Sequence, residues 1–231
     1  MKIAANFNER VVVHYNDVTW LKSPMPGVER KPLDRVGEEI ARATSIVKYA
    51  PGSRFSPHIH TGGEEFVVLE GVFQDEHGDF PVGSYIRNPP GSSHTPRSDD
   101  GCTIFVKLWQ FQPEDSEHLR VQMVNAKASP LGSNEHIQVT PLYEGKFEKV
   151  SLLRMDANTR LVVNAIGGAE LLVMAGEATE KDDTLVKHSW LRCPINSELT
   201  LQSGANGASI WLKTDHLKDV DKQIARVSLA V

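Results

Sequence analysis

A chain of 231 residues, 40% hydrophobic and 24% charged, is ordinary for a globular protein and long enough for two packed domains of about 100 to 150 residues. Its net charge of -5 gives no electrostatic reason to bind nucleic acid or an anionic membrane surface, and it carries neither a signal-peptide pattern nor an apolar run long enough to span a bilayer. A cytoplasmic location is therefore expected, and Cys102 and Cys193, the only cysteines, exclude a disulfide framework or a Cys-x-x-Cys zinc knuckle and read as buried thiols.

From the N-terminus, Val11-Val12-Val13 within Arg10 to Tyr15 and then Thr19-Trp20-Leu21 read as strands flanking a barrel. Ser23-Pro-Met-Pro-Gly27 has turn chemistry, Val28 to Leu33 is extended, and Ala43 to Tyr49 is the strand that feeds Gly52. In the next stretch, His58 and His60 lie two apart, so on a strand both imidazoles leave the same face. Gly62-Gly63 lets the backbone turn, and Glu64 opens the apolar return run Phe66 to Leu69. Asp75-Glu76-His77-Gly78-Asp79 reads as a hairpin turn in preference to a second cation site. Pro89-Pro90-Gly91 is a further turn, able to bring His94 beside the first two histidines. Thr103 to Phe111 alternates around Ile104, Val106 and Leu108 as a closing strand, and the polar, proline-bearing Gln112 to Glu135 is the candidate connection to a second domain.

That second domain repeats the first. A shift of 105 residues, Gly71 onto Gly176, lays Gly62-Gly63 on Gly167-Gly168, Glu65 on Glu170, Arg87 on Arg192, Pro89 on Pro194 and Ser98 on Ser203. The polar residues of the first stretch do not survive it: His58 falls on Val163, His60 on Ala165, Glu64 on Ala169 and His94 on Leu199. The expected division is a metal-binding barrel over residues 1–117 and a degenerate barrel without metal ligands over 118–231, its aliphatic replacements filling the centre as core. Leu217, Val220, Ile224 and Val227 then lie at helical spacing, as in a short amphipathic helix packed on a barrel, or docked on a partner.

Gly52, His58, His60, Glu64 and Gly71 match the first motif of the cupin family place by place; Gly83, Pro89, Gly91 and His94 match the second, with Ser98 where that motif ends in Asn. Within the family, Gly-Gly-Glu-Glu from Gly62 and Arg-Asn-Pro-Pro-Gly-Ser-Ser-His from Arg87 resemble the ChrR-type cupin, named for an anti-sigma factor with such a C-terminal domain. The resemblance implies an all-β fold, here two tandem double-stranded β-helix (jelly-roll) barrels in a bicupin. It also implies one divalent metal ion, usually zinc, on His58, His60, Glu64 and His94. Three imidazoles and a carboxylate suit zinc, iron, manganese or nickel rather than calcium or magnesium, which prefer all-oxygen shells.

Two functions follow. One is a regulatory protein that senses a small-molecule effector and signals to a protein partner, related to the anti-sigma factor but without its N-terminal sigma-binding segment. The other is a metal-dependent cupin dioxygenase cleaving a small diketone or dihydroxyaromatic substrate, with Phe66, Tyr85, Arg87 and Trp109 as pocket candidates by strand alternation. Exposed barrel edges would also suit a homodimer.

Overall fold

The computed structural model describes residues 1–230. Nearly every regular element is a strand; the exceptions among the described residues are a 3-10 turn at Tyr15–Asp17 and one α-helix, Val220–Leu229. None of the described helices is long and apolar enough to cross a membrane. The chain forms two compact units, and it interleaves them: Met1–Ala5, Thr19–Val124 and the chain from Asp221 make the first, Asn6–Val18 and Asn125–Val220 the second.

In the first unit the sheet runs, in hydrogen-bonded order, through Lys2–Ile3, Val28–Gly37, Ala41–Tyr49, Cys102–Leu108, Glu64–Asp75, Ser84–Asn88 and Leu119–Gln122. Alternation sorts its side chains into two buried sets. Phe66, Ile86, Ile104 and Val106 share one face, where they pack with Phe73 and Val68 as an apolar cluster. Glu65, Tyr85, Arg87 and Lys107 share the opposite face, with Arg87 and Lys107 each directly across from Glu65 on its two flanking strands. All four are at least 99% buried. Charges so deep are costly unless satisfied. Here the Tyr85 hydroxyl donates to Glu65 at 2.7 Å, Arg87 reaches Glu65 at 3.2 Å and Asp115 at 2.6 Å, and the Lys107 ammonium donates to Thr44 at 2.9 Å. The Arg87 guanidinium also stacks over Phe111 at 4.3 Å.

The second unit repeats this register. Glu170 lies across from Arg192 and Lys213, Trp190 donates to Glu170 at 2.7 Å, and Arg192 stacks over Phe7 at 4.2 Å. Phe7 and the strand Val11–Val13, which pairs with Trp190–Cys193, come from the N-terminus and serve this unit as Phe111 and Leu119–Gln122 serve the first. The backbone pairing also upholds the repeat at the ligand positions: Val163 opposes Leu199 where His58 opposes His94. Ala165, Ala169 and Leu199 join the apolar core of the second unit, with Val163 packed against it.

The tail is helical, but starts at Val220. Residues Asp221 onward belong to the first unit, where Gln223 accepts from Arg42 at 2.9 Å and donates to the Gln110 carbonyl at 2.7 Å, and Arg226 donates to the Phe111 carbonyl.

The two equivalent bends depend on glycine. Gly71 and Gly176 have φ of 67° and 69°, and a Cβ on either would stand 2.1 or 2.2 Å from the carbonyl oxygen of Gly101 or Gly207. Backbone oxygen cannot retreat as a flexible side chain can. Gly71→Ala is expected to lower the stability of the metal-free protein by about 1 to 3 kcal/mol in denaturant unfolding. Gly132→Ala, at φ 57° with open space around it, should cost visibly less; equal costs would refute the steric account.

Candidate metal centre

Two short pairings assemble the centre. His58–Ile59 pairs antiparallel with Ser93–His94, which places His94 directly across from His58. His60 is then pinned by its own backbone: its N–H donates to the Ser92 carbonyl at 2.8 Å, and its carbonyl accepts from Gly91 at 3.0 Å and Gly63 at 3.2 Å. The imidazole centroids stand 4.9, 5.0 and 4.5 Å apart, and one nitrogen from each ring lies within 4.8 Å of the others. His58 is exposed, while His60 and His94 are buried. This is the one cluster of its kind among the described residues, and it could hold a metal ion.

The ring orientations are set from outside. Asp75 Oδ2 is 3.2 Å from His94 Nδ1, and the Ser56 carbonyl is 3.2 Å from His58 Nδ1, so each ring keeps Nε2 for the centre. Burial would raise the Asp75 carboxyl, but hydrogen bonds from His94 and the His77 N–H outweigh it and hold the group below the usual carboxylate range. Nε2 of His60 and of His94 are buried with no hydrogen-bond partner. An orphaned buried polar atom costs about 1 to 3 kcal/mol. A cation between them would satisfy both, and the donor set fits one. Burial lowers the His60 pKa; Glu64 opposes the shift, and His94 and His58 add to it, so the ring is inclined to the neutral form that a metal requires.

Glu64 joins the cluster from the adjoining long strand. Its Oε2 lies 3.4 Å from His60 Nε2 and 3.5 Å from His94 Nε2, and the Asn88 amide, directly across in the sheet, donates to it at 3.3 Å. Spacing alone marks neither Asn88 nor Asp75 as part of a site. Asn88 could be found from the hairpin register opposite Glu64, whereas Asp75 sits in an acidic turn whose burial is a property of the folded chain.

A cavity of about 190 Å³ opens onto His58, Glu64 and His94, walled by Tyr49, Phe73, Val106 and Leu108 among others. The pocket candidates Phe66, Tyr85, Arg87 and Trp109 are not among its lining residues. Phe66 does point to this face but is consumed in the core, 4.6 Å from Phe73. Tyr85 and Arg87 leave the opposite face with Glu65. Trp109 has φ 60°, and its ring covers Gly62 so closely that a Cβ there would be 2.1 Å away.

The remaining titratable groups have ordinary work. The Asp75 carboxylate accepts the His77 N–H, as in a turn, and His136 and His216 each meet one carboxylate, Asp156 at 3.0 Å and Glu170 at 3.1 Å. Cys102 and Cys193 are buried and unpaired with each other.

Residues 8–112 match the family of ChrR cupin-like domains. No curated protein matches the chain in sequence. Solved structures similar in fold include a candidate dioxygenase from Nostoc punctiforme (TM-score 0.73, 16% identity, covering 91% of this chain and 84% of that one). Another is a bacterial pirin from Escherichia coli in complex with nickel(II) (TM-score 0.65, 12% identity, 89% and 98%). A third is a cupin 2 conserved barrel domain protein from Leptotrichia buccalis (TM-score 0.60, 10% identity, 89% and 96%). At such identities the likeness is one of fold: the chain is all-β, of cupin type.

Burial pushes both thiols up to about 11. At pH 8 only about one molecule in a thousand then carries a given thiolate, and thiolate is the reactive form. Neither cysteine should react with a disulfide reagent over minutes in the native protein, and both should react on unfolding in guanidinium. A fast native reaction of one thiol would show that it is accessible and activated.

Proposed function

With residues 8–112 matching the ChrR cupin-like domains, we propose that the first unit is a metal-binding cupin barrel whose ion, held by His58, His60, His94 and Glu64, acts on a small molecule in the adjoining cavity. The second unit is a barrel of the same descent that has lost the ligands. The reading that best accommodates the cavity is a metal-dependent dioxygenase acting on a small oxygen-donor substrate such as a diketone or dihydroxyaromatic. One observation carries it: a solvent-reachable cavity ends on three of the four ligand residues. A purely structural ion would be enclosed by its protein ligands.

The bound ion would supply Lewis-acid polarisation and a site for redox chemistry. What the chain supplies can be named residue by residue. Asp75, ionised, accepts a hydrogen bond from His94 Nδ1–H, which keeps the proton on Nδ1 and so presents Nε2 unprotonated to the centre. Asn88 holds one oxygen of Glu64 and fixes the carboxylate's plane. Tyr49 packs edge-on against Phe55 and Phe73 at 5.0 and 6.2 Å, and with Val106 and Leu108 it builds a dry wall. Burial, then the charge of Glu64, keep its phenol protonated throughout the ordinary pH range, so it provides no base.

The match to a ChrR cupin-like domain favours a second reading, a metal-dependent sensor that binds an effector in the same cavity without turning it over. Elemental analysis of the protein purified from its own host, beside His58→Ala, tests what the two share: one equivalent of metal, lost in the variant. Absence of metal from the wild type would overturn both. Asp75→Asn should weaken metal affinity about 10- to 100-fold with the fold intact by circular dichroism. Oxygen uptake with diketones or dihydroxyaromatics then separates the readings. Turnover supports the dioxygenase, and saturable binding with no uptake supports the sensor.

A further inference from the structure

The cavity has a second chemical end. Besides the ligand residues, Arg30 and Arg35 line it, and both also line a wider outer groove of about 480 Å³ along Leu21 to Met25 and Glu38-Glu39. The two arginines therefore stand where the interior opens to solvent.

Their shared position is not what their spacing predicts. Residues five apart on a regular strand leave opposite faces. In Val28–Gly37, however, the pairing with Ala41–Tyr49 slips between Pro32 and Asp34, so Leu33 is an extra residue. Arg30 then lies across from Val47 and Arg35 across from Ala43, positions of equal parity, and Val47, Ser45 and Ala43 all line the cavity. Bulges of this kind re-aim side chains next to functional sites. Without the bulge, Arg35 would lie across from Arg42 and point toward the buried polar face, the side that Asp34 now takes.

Neither guanidinium meets a carboxylate among the described residues. Arg30 donates to the Ser23 hydroxyl, and its Nε is buried with no partner. Arg35 donates to the backbone carbonyls of Glu38 and Glu39. The Glu38 carboxylate pairs with the Met1 amine. Burial, then the neighbouring charge of Arg30, push the Arg35 pKa down, and the charge of Glu38 only partly offsets them. Two like charges held together at a cavity mouth, with Glu38 acting on Arg35 through charge alone and shared with the Met1 amine, offer a bound anion two charge-assisted contacts.

We propose that this cavity binds a short organic acid, its carboxylate on Arg30 and Arg35 and an oxygen at its other end directed to the histidine centre. The apolar walls between the two ends, with Val28, Val47, Val106 and Leu108, fit a hydrocarbon middle. A volume of about 190 Å³ lies below the roughly 300 to 1,000 Å³ of sites for drug-sized ligands, so the ligand is a short-chain acid and not a coenzyme. This specifies the substrate or effector class of the metal reading above and rests on it for the far end of the ligand only.

The test is isothermal titration calorimetry with glutarate and with its uncharged diamide, on metal-loaded and metal-free protein. The wild type should bind glutarate and bind the diamide at least tenfold more weakly. Arg30→Gln and Arg35→Gln should each lower glutarate affinity about tenfold or more, the loss expected for a charge-assisted hydrogen bond. Arg35→Lys, which keeps the charge, should retain more affinity than Arg35→Gln, and equal thermal unfolding of the variants would exclude misfolding as the cause. Metal content is read on every sample and should be the same in the arginine variants as in the wild type. Arginine-dependent binding that persists in metal-free protein leaves the anion site standing even if the purified protein held no metal. No glutarate binding at millimolar concentration, equal binding of the diamide, or indifference to both Gln substitutions would overturn the proposal.

Discussion

Two adjacent carboxylates, Glu64 and Glu65, leave one strand on opposite faces, and the first unit is arranged around that split. Glu64 turns to the histidines and accepts from Asn88; Glu65 turns to Tyr85 and Arg87, with Lys107 across from it. Since the side-chain period of a strand is two, a slip of one residue would exchange them. It would put Glu65 toward the three imidazoles and leave Glu64 among the buried cations. Pairing on both flanks of Glu64–Asp75 resists that slip, because each flanking strand presents a cation across from Glu65.

The second unit shows which half of this arrangement is architectural. Its polar face keeps Glu170, Arg192 and Lys213 in the same register, while its other face is aliphatic at all four ligand positions. A cupin-type unit of this chain can therefore pack with no histidine in its centre. The histidines of the first unit are not required for packing, and the two orphaned Nε2 atoms add a cost that a bound cation would remove.

Much of this could be seen in the residues alone. Two histidines two apart, a glycine turn and a third histidine after Pro-Pro-Gly specified neighbouring imidazoles, because alternation and turn chemistry act over a few residues. The repeat was visible because a register shared by two sheets leaves a fixed offset. It was visible only in part, since the offset grows to 106 between Gly101 and Gly207, and Lys107 answers Lys213. The pocket was harder. Tyr85 and Arg87 alternate correctly with each other but sit in odd register to Glu64, and only the pairing partner reveals which parity faces inward. The bulge at Leu33 cannot be read from Pro32-Leu33-Asp34 in isolation, and it alone turns Arg35 to the cavity. Asp75 looked like turn chemistry and is that too, accepting the His77 N–H while holding His94.

The interleaved division of the chain bears on synthesis. Val11–Val13 is made well ahead of its partner strand Trp190–Cys193, and the first unit in turn waits for the residues from Asp221. Neither unit can close before these late segments have been made. Contacts of such large sequence separation delay folding and leave hydrogen-bonding edges open meanwhile. Val11-Val12-Val13 is a β-prone tripeptide to be kept waiting, and Glu9 and Arg10 just before it place charge beside that exposed edge until Trp190–Cys193 arrives.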